Sequence, residues 1–235
     1  MRYDAQPSLW QKISKALGSR VFHSWVFACI ASYFLAYQLA PVPAIVVQSL
    51  PVEMTPARLA GVSLLSAVII GLVFGLCQWF VLRIHFRKAY WWIVATALGY
   101  GMASLLGEGL LKFVFSVLSD PSVWGIAPLF SSESAAYTGQ ALMYGAVVGI
   151  AQWLFFRARH VHKSAAWIPV IVLTMLLIQR VPSPNFSVFM QQLDGSLPGL
   201  YMLFQMASIV VSGIVFGLST GLLLLDFISQ KEEQV

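Results

Sequence analysis

The chain has 235 residues, of which 59% are hydrophobic and 10% are charged, with a formal net charge of +5. Soluble domains carry about 25% charged residues, so this composition excludes a soluble globule and predicts an all-α integral membrane protein. The basic residues form short blocks beside apolar segments, which indicates membrane orientation and argues against nucleic-acid binding.

The N-terminal segment, residues 1–19, is charged and amphipathic. Its stretch PSLWQKISKAL places Leu9, Ile13 and Leu17 on one helical face, which predicts a cytoplasmic interfacial helix on the inner leaflet. A frayed, charged tail is the alternative. The apolar stretch that follows is longer than the roughly 7–15 residues of a signal peptide, so we expect it to be retained as the first membrane span.

Six apolar segments follow, and each predicts a transmembrane helix because about 20 apolar residues cross the ~30 Å hydrocarbon layer. The fifth is the shortest and carries Pro169 in its first turn. Together the segments predict a single transmembrane domain, residues 20–229, and a cytoplasmic tail, residues 230–235. The predicted spans cover residues 21–40, 59–82, 90–118, 135–156, 165–180 and 199–227.

Basic residues predict the orientation of these spans. Short blocks of basic residues lie before the odd spans or after the even spans, and they include Lys12, Arg83 and Arg157. Cytoplasmic loops carry an excess of Lys and Arg, so both termini are predicted to be cytoplasmic. An even number of spans agrees with that orientation.

One phrase occurs twice, as GLVFGLCQWFVLR at residues 71–83 and GAVVGIAQWLFFR at residues 145–157. A degenerate third copy at residues 213–227, GIVFGLSTGLLLLDF, keeps the glycine spacing but has Thr220 in place of the glutamine. The even spans therefore correspond to one another. The phrase G-x-x-x-G-x-x-Q-W followed by basic residues resembles one in uncharacterised multi-pass bacterial membrane proteins, over about residues 60–170. The resemblance implies a bacterial cytoplasmic (inner) membrane location and brings no activity with it.

The odd spans correspond as well, because Trp25, Trp92 and Trp167 align near their starts. Tryptophan favours the membrane–water interface, where its ring is apolar and its N–H finds a polar partner. The chain therefore predicts three hairpins of like orientation, a parallel repeat about an axis along the membrane normal. The predicted repeat units cover about residues 21–83, 90–157 and 165–227.

Helical geometry assigns the repeated phrase mainly to helix packing. Gly71, Gly75 and Gln78 fall within about 60° of one another around a helix. Glycines spaced by four residues let a neighbouring backbone approach, and a glutamine can hydrogen-bond across such a contact. The alternative is that the glutamines line a cytoplasmic gate. The predicted packing positions are Gly71, Gly75, Gln78, Gly145, Gly149, Gln152, Gly213 and Gly217.

Upstream of the glycines, the repeat places polar residues along one face of each even span, in the outer half. Glu108 lies inside the third span, and intramembrane ionisable residues usually face the bundle interior and indicate function. A structural pair of Glu108 with Lys112 near the outer boundary is the alternative. The candidate pocket residues are Glu108, Ser104, Tyr137, Gln140, Tyr144, Gln205, Ser208 and Ser212.

Known catalytic and nucleotide-binding motifs do not occur in the sequence, which identifies no catalytic residue, no metal site and no cofactor. The favoured function is a non-catalytic accessory or assembly subunit of a larger membrane complex, with the lipid bilayer and other membrane subunits as partners. The alternative is a small-solute or lipid transporter, or its substrate-binding membrane component, that uses the outer-half pocket. An intramembrane enzyme is the third possibility.

Overall fold

The computed structural model describes residues 14, 17–51, 53, 55–118, 132–180 and 198–232. Within these ranges the chain is helical and forms no β-strand. The expected interfacial helix at residues 1–19 lies outside the described residues, apart from residue 14 and residues 17–19. The last residues of the expected tail, 233–235, also lie outside them.

Six long helices follow the predicted apolar segments closely, and one short helix was not predicted. The short helix, α2, is entered through Pro41 and has Pro43 in its first turn, where proline is compatible with helical geometry. The helices are α1 Arg20–Leu39, α2 Val42–Gln48, α3 Pro56–His85, α4 Tyr90–Leu118, α5 Ser132–Arg157, α6 Trp167–Arg180 and α7 Pro198–Glu232, with a 3-10 turn, Ser164–Ala166, before α6.

Four helical stretches in the described part of the chain are long and apolar enough to cross a membrane. A shorter apolar helix, Ser164–Ile178, accompanies them. The composition-based prediction of a helical protein suited to a membrane is therefore confirmed at this level. The four stretches are Arg20–Gln48, Pro56–His85, Thr138–Arg157 and Met202–Gln230.

The long helices pack in a closed ring that follows chain order. Each of them contacts the next along the chain, from α1 through α3, α4, α5 and α6 to α7. α7 in turn packs against α1, so the first and last long helices close the ring. Because α1, α4 and α6 begin at the end where α3, α5 and α7 finish, we call that end of the ring the basic end. It carries Arg20, Arg83, Arg87, Arg157 and Arg159.

Three contacts of this ring, α3–α4, α5–α6 and α7–α1, are built on the repeated glycines. A Cβ added at five of these six glycines would lie within 3.0 Å of the neighbouring backbone, which only glycine permits, and at Gly149 it would make a tight contact. From the first glycine of each pair, the distances to Cα would be 2.7 Å for Gly71 to Ala97, 2.7 Å for Gly145 to Val172 and 2.5 Å for Gly213 to Ile30. From the second, they would be 2.7 Å for Gly75 to Ile93, 3.2 Å for Gly149 to Ile168 and 2.8 Å for Gly217 to Val26.

These glycine contacts join different repeat units. The predicted units pair α1 with α3, α4 with α5 and α6 with α7, whereas each glycine-bearing helix lies against the first helix of the next unit. The turns that precede α4 and α6 are also alike. Lys88 and Lys163, each four residues before the aligned tryptophan, both adopt a left-handed backbone, with φ of 55° and 57°.

Candidate functional site

Three indole rings meet at the centre of the ring of helices, one from each predicted repeat unit. Trp25, Trp92 and Trp167 are fully buried, with 0% of each residue exposed. Their ring centroids lie 6.3, 6.4 and 5.8 Å apart, and their planes are inclined by 66°, 70° and 77°. Such edge-to-face contacts are favourable for aromatic pairs. We call these three side chains the tryptophan layer.

The structure buries these tryptophans inside the ring of helices, so their indole rings do not lie on its outer surface. The expectation of an interfacial position treated each hairpin separately, and an isolated hairpin would expose the ring to lipid headgroups. Closure of the helical ring instead encloses all three rings, and the neighbouring helix supplies the polar partner that each indole N–H requires.

Each indole N–H donates a hydrogen bond to the helix that bears the glycines. The acceptors are the Gln, Gln and Thr that occupy one position of the repeated phrase, and all three are buried. Trp92 Nε1 lies 3.0 Å from Gln78 Oε1, Trp167 Nε1 lies 2.9 Å from Gln152 Oε1, and Trp25 Nε1 lies 2.9 Å from Thr220 Oγ1. The three bonds thus repeat around the ring, each joining one unit to the next.

Both glutamines make a second bond, within their own unit. An indole can only donate, so the amide oxygen faces it and the amide NH₂ points the other way. Gln152 Nε2 donates to Thr96 Oγ1 over 3.2 Å, and Gln78 Nε2 lies 3.6 Å from the sulfur of Cys29. Each glutamine amide is therefore bonded at both ends.

The third unit lacks the second bond of this kind, and both of the residues at the equivalent positions differ. Its equivalent of Cys29 and Thr96 is Ile171, which offers no polar atom. The shorter Thr220 accepts from Trp25 and donates to the carbonyl of Phe216 at 2.6 Å. Sequence analysis found the Gln/Gln/Thr position but did not pair it with the tryptophans. The sequence carries a signal only for the second bond within a unit, because Gln accompanies Cys or Thr in two units while Thr accompanies Ile in the third.

Apolar layers pack against the tryptophan layer on both sides. Toward the basic end, the buried side chains are Leu82, Phe86, Phe156, Leu224 and Phe227. On the side away from the basic end, ring contacts link Tyr33, Phe74, Tyr100 and Phe216, with centroids 4.8 to 6.0 Å apart. We call this second group the aromatic floor. These layers fill the axis of the ring through the half that lies nearer the basic end.

The candidate pocket residues of α7 continue the face of that helix that carries Phe216. Ser212, Ser208 and Gln205 precede Phe216 by 4, 8 and 11 residues, which keeps them on one face. Ser212 is 7% exposed, whereas Ser208 and Gln205 are partly exposed, so burial falls away from the floor. Side chains on this face are thus less enclosed with distance from the tryptophan layer.

Three of the remaining candidates, Ser104, Gln140 and Tyr144, lie on α4 and α5. The ring of Tyr144 contacts that of Tyr100 with centroids 6.1 Å apart, which brings Tyr144 to the edge of the aromatic floor. Ser104 is partly exposed and Gln140 is exposed. The side chains of Glu108 and Tyr137 lie outside the described part of the structure.

Arginines surround the basic end and contact aromatic rings in equivalent ways. Arg83 lies over Trp79 at 5.1 Å and Arg157 over Trp153 at 5.0 Å, a favourable cation–π geometry. Arg159 donates to the carbonyls of Phe155 and Lys88, both at 2.8 Å, so it joins the end of α5 to the turn before α4. Partial burial lowers the pKa of Arg159, although an arginine remains charged at neutral pH.

Among the residues that the structure describes, no group of three His, Cys, Asp or Glu side chains comes together. Cys29 and Cys77 are free thiols. No protein-family model, no curated protein and no solved structure matches the chain.

Proposed function

We propose that the chain is a non-catalytic polytopic protein of the bacterial inner membrane that acts by binding, as an accessory or assembly subunit of a larger membrane complex. The tryptophan layer carries this proposal. The buried polar side chains that accept hydrogen bonds from the tryptophan layer are Gln78, Gln152 and Thr220, and each of these bonds joins two neighbouring helices. Catalysis needs a nucleophile or base held in position toward a substrate, and these amides and hydroxyl are committed to holding the ring together.

The proposed topology is six spans in three like-oriented hairpins, with both termini cytoplasmic. Trp25, Trp92 and Trp167 lie in one layer near the starts of α1, α4 and α6, which supports a common entry side for these helices. The 14 residues of α6 extend over about 21 Å, less than the ~30 Å hydrocarbon layer. Local thinning of the bilayer accommodates a short span at modest cost.

The exterior of the ring supports an apolar partner. Large hydrophobic side chains are exposed on every long helix, among them Phe27, Ile84, Leu98, Leu154, Leu177 and Leu203. Lipid tails solvate such a surface, and helices of another subunit can replace lipid by close packing. The proposed partner is therefore another helical membrane protein bound against the outside of the ring.

Purification from native membranes in a gentle detergent tests this proposal. We expect a second membrane protein to co-purify in fixed stoichiometry, measured by the mass of the intact particle and by peptide identification. A tagged membrane protein of similar size, expressed and purified identically, is the control for carry-over. A monomer without a stoichiometric companion, from membranes of the native host, would contradict the assembly role.

A substrate-binding or transport role is the second candidate, and the outer half of the ring favours it. The polar stripe with Ser212, Ser208 and Gln205 faces the axis and becomes less buried away from the aromatic floor. The test measures solute uptake by Glu108→Gln and Tyr144→Phe variants at matched protein level. Tyr90→Phe, an exposed tyrosine at the basic end, is the control. Uptake of every tested solute that is equal in all variants would remove this candidate.

A further inference from the structure

A groove opens on the outside of the ring between α1 and α3, beside the basic end. Its volume is about 840 Å³, within the range of small-molecule and lipid sites. Its apolar walls include Phe27, Ala31, Cys77, Phe80 and Ile84, and Arg20, His23 and His85 lie at its basic end. The lining contains no acidic side chain among the described residues.

The groove exists because the first repeat unit is held apart where the second is closed. In the second unit, Gly99 brings α4 against α5, and a Cβ there would lie 3.0 Å from Cα of Val148. The equivalent residue of the first unit is Ser32, which is buried and donates its hydroxyl to the carbonyl of Ala28 at 2.6 Å. A serine and a cysteine thus occupy the position where the second unit has Gly99 and Ala151.

The basic ends of the two units differ in the same sense. In the second unit, the guanidinium of Arg159 bonds the carbonyls of Arg87 and Lys88, and so spans from α5 to the turn before α4. The first unit has His85 at the position of Arg159, and that imidazole lines the groove. The first unit therefore has an imidazole at the place where the second unit has a guanidinium bonded to backbone carbonyls.

The depth of the groove matches one leaflet. Arg20 and Ala31 mark its two ends on α1, a distance of about 16 Å at 1.5 Å per residue. Half of the ~30 Å hydrocarbon layer is about 15 Å. An occupant with a polar head at Arg20 and an apolar tail along Ala31 thus has the length of a lipid in one leaflet.

We propose that the groove between α1 and α3 binds one anionic phospholipid of the cytoplasmic leaflet. The phosphate lies against Arg20, with His23 and His85 as further donors, and an acyl chain lies along Ala31 and Cys77. Basic pockets between transmembrane helices on the cytoplasmic side recognise anionic headgroups. The proposal rests on the proposed membrane topology and is independent of any protein partner.

Native mass spectrometry of the full-length protein in mild detergent tests the proposal. The probes are phosphatidylglycerol and phosphatidylcholine with identical acyl chains, added at equal concentrations. We expect one phosphatidylglycerol to be retained per chain in preference to phosphatidylcholine. Arg20→Gln lowers that preference about fivefold, because one surface cation is worth that much in attraction to an anionic lipid.

A second variant tests the apolar part of the site. Ala31→Leu introduces the residue that the second unit has at the equivalent position, Leu98, and fills the groove. We expect Ala31→Leu to weaken retention of both lipids, whereas Arg20→Gln weakens retention of phosphatidylglycerol alone. The matched controls are Arg87→Gln, an exposed arginine before α4, and Ala207→Leu, an exposed alanine on α7. Both controls are expected to bind lipid like the unmodified protein.

Equal retention of the two lipids, or equal binding by Arg20→Gln, Ala31→Leu and their controls, would overturn the lipid site. Ala31→Leu that releases a stoichiometric protein companion and leaves lipid binding unchanged would also overturn it, and would assign the groove to that companion. Loss of lipid with retention of a companion supports the lipid site and the assembly role together. Loss of lipid from a protein that has no companion supports the lipid site alone.

Discussion

Trp92 on α4 donates its indole N–H to Gln78 on α3, and the 3.0 Å bond joins the second repeat unit to the first. The same bond joins Trp167 to Gln152, and Trp25 to Thr220 across the two ends of the chain. The same position of the repeated phrase therefore supplies the hydrogen-bond acceptor in all three copies. Because the glycines beside it allow the helices to approach, the repeated phrase supplies both the close contact and the hydrogen bond between units.

Loss of a layer glutamine is expected to destabilise the ring. Gln152→Leu removes the bonds to Trp167 and Thr96, and hydrogen bonds between membrane helices are worth about 0.6–2 kcal/mol each. We expect the free energy of unfolding to fall by about 1–3 kcal/mol, measured by denaturant titration in detergent micelles. Gln38→Leu, an exposed glutamine on α1, is the control. Equal losses in the two variants would show that the buried amide has no special role.

A methyl group at a seam glycine is expected to force two helices apart. The Cβ of Gly145→Ala would lie 2.7 Å from Cα of Val172, and backbone cannot move aside as a flexible side chain can. Overpacking of this kind costs about 1–3 kcal/mol, so the thermal unfolding temperature should fall. Gly61→Ala on α3 is the control, because a Cβ there meets nothing within 4 Å. It should be neutral or stabilising, since alanine favours a helix over glycine. A drop with Gly61→Ala as large as that with Gly145→Ala would refute the seam.

The two native cysteines are expected to differ in reactivity. Cys29 is fully buried beside Gln78, whereas Cys77 is half-buried and lines the groove between α1 and α3. In detergent solution, N-ethylmaleimide should modify Cys77 first and should reach Cys29 only after denaturation. Peptide mass spectrometry over a time course measures both rates. Simultaneous modification in the folded protein would contradict the burial of Cys29.

Arg159 is expected to require its guanidinium group. Its three bonds to the carbonyls of Phe155, Arg87 and Lys88 come from two nitrogens of a planar fork, and a lysine ammonium cannot reproduce that geometry. Arg159→Lys should lower stability by about 1–3 kcal/mol. Arg157→Lys, two residues earlier and exposed, should change it less. If both lysine variants unfold at the same temperature, the link from Arg159 to the turn before α4 contributes nothing to stability.

The sequence predicted the long helices well, because their apolar segments and the register of the glycines are local signals. Residues 90–118 were predicted as the third span and form α4. The short helix α2 was missed, since the prolines at its start, Pro41 and Pro43, are typical of a connection between spans. The positions of the long helices therefore follow from composition and periodicity, whereas that of a short helix that begins with prolines does not.

The partner of each tryptophan was beyond the same reasoning. Trp25 and Thr220 lie 195 positions apart, and their bond forms only if α7 returns to α1. Periodicity places a residue on a face of its own helix but does not say which helix that face meets. The groove is a similar case, because it arises from the difference between Ser32 and Gly99 at one equivalent position.

Closure of the ring between α1 and α7 can be measured by a double-mutant cycle on the hydrogen bond from Trp25 to Thr220. The variants are Trp25→Phe, Thr220→Val and the two combined, and the free energy of unfolding is measured for the monodisperse monomer in detergent. A closed ring predicts a coupling energy of about 0.6–2 kcal/mol between the two positions, the range for hydrogen bonds between membrane helices. The control cycle combines Trp25→Phe with Leu218→Ala, an exposed position on α7, and should show no coupling. Purely additive losses for Trp25→Phe and Thr220→Val in the folded monomer would show that the helices do not close into a ring.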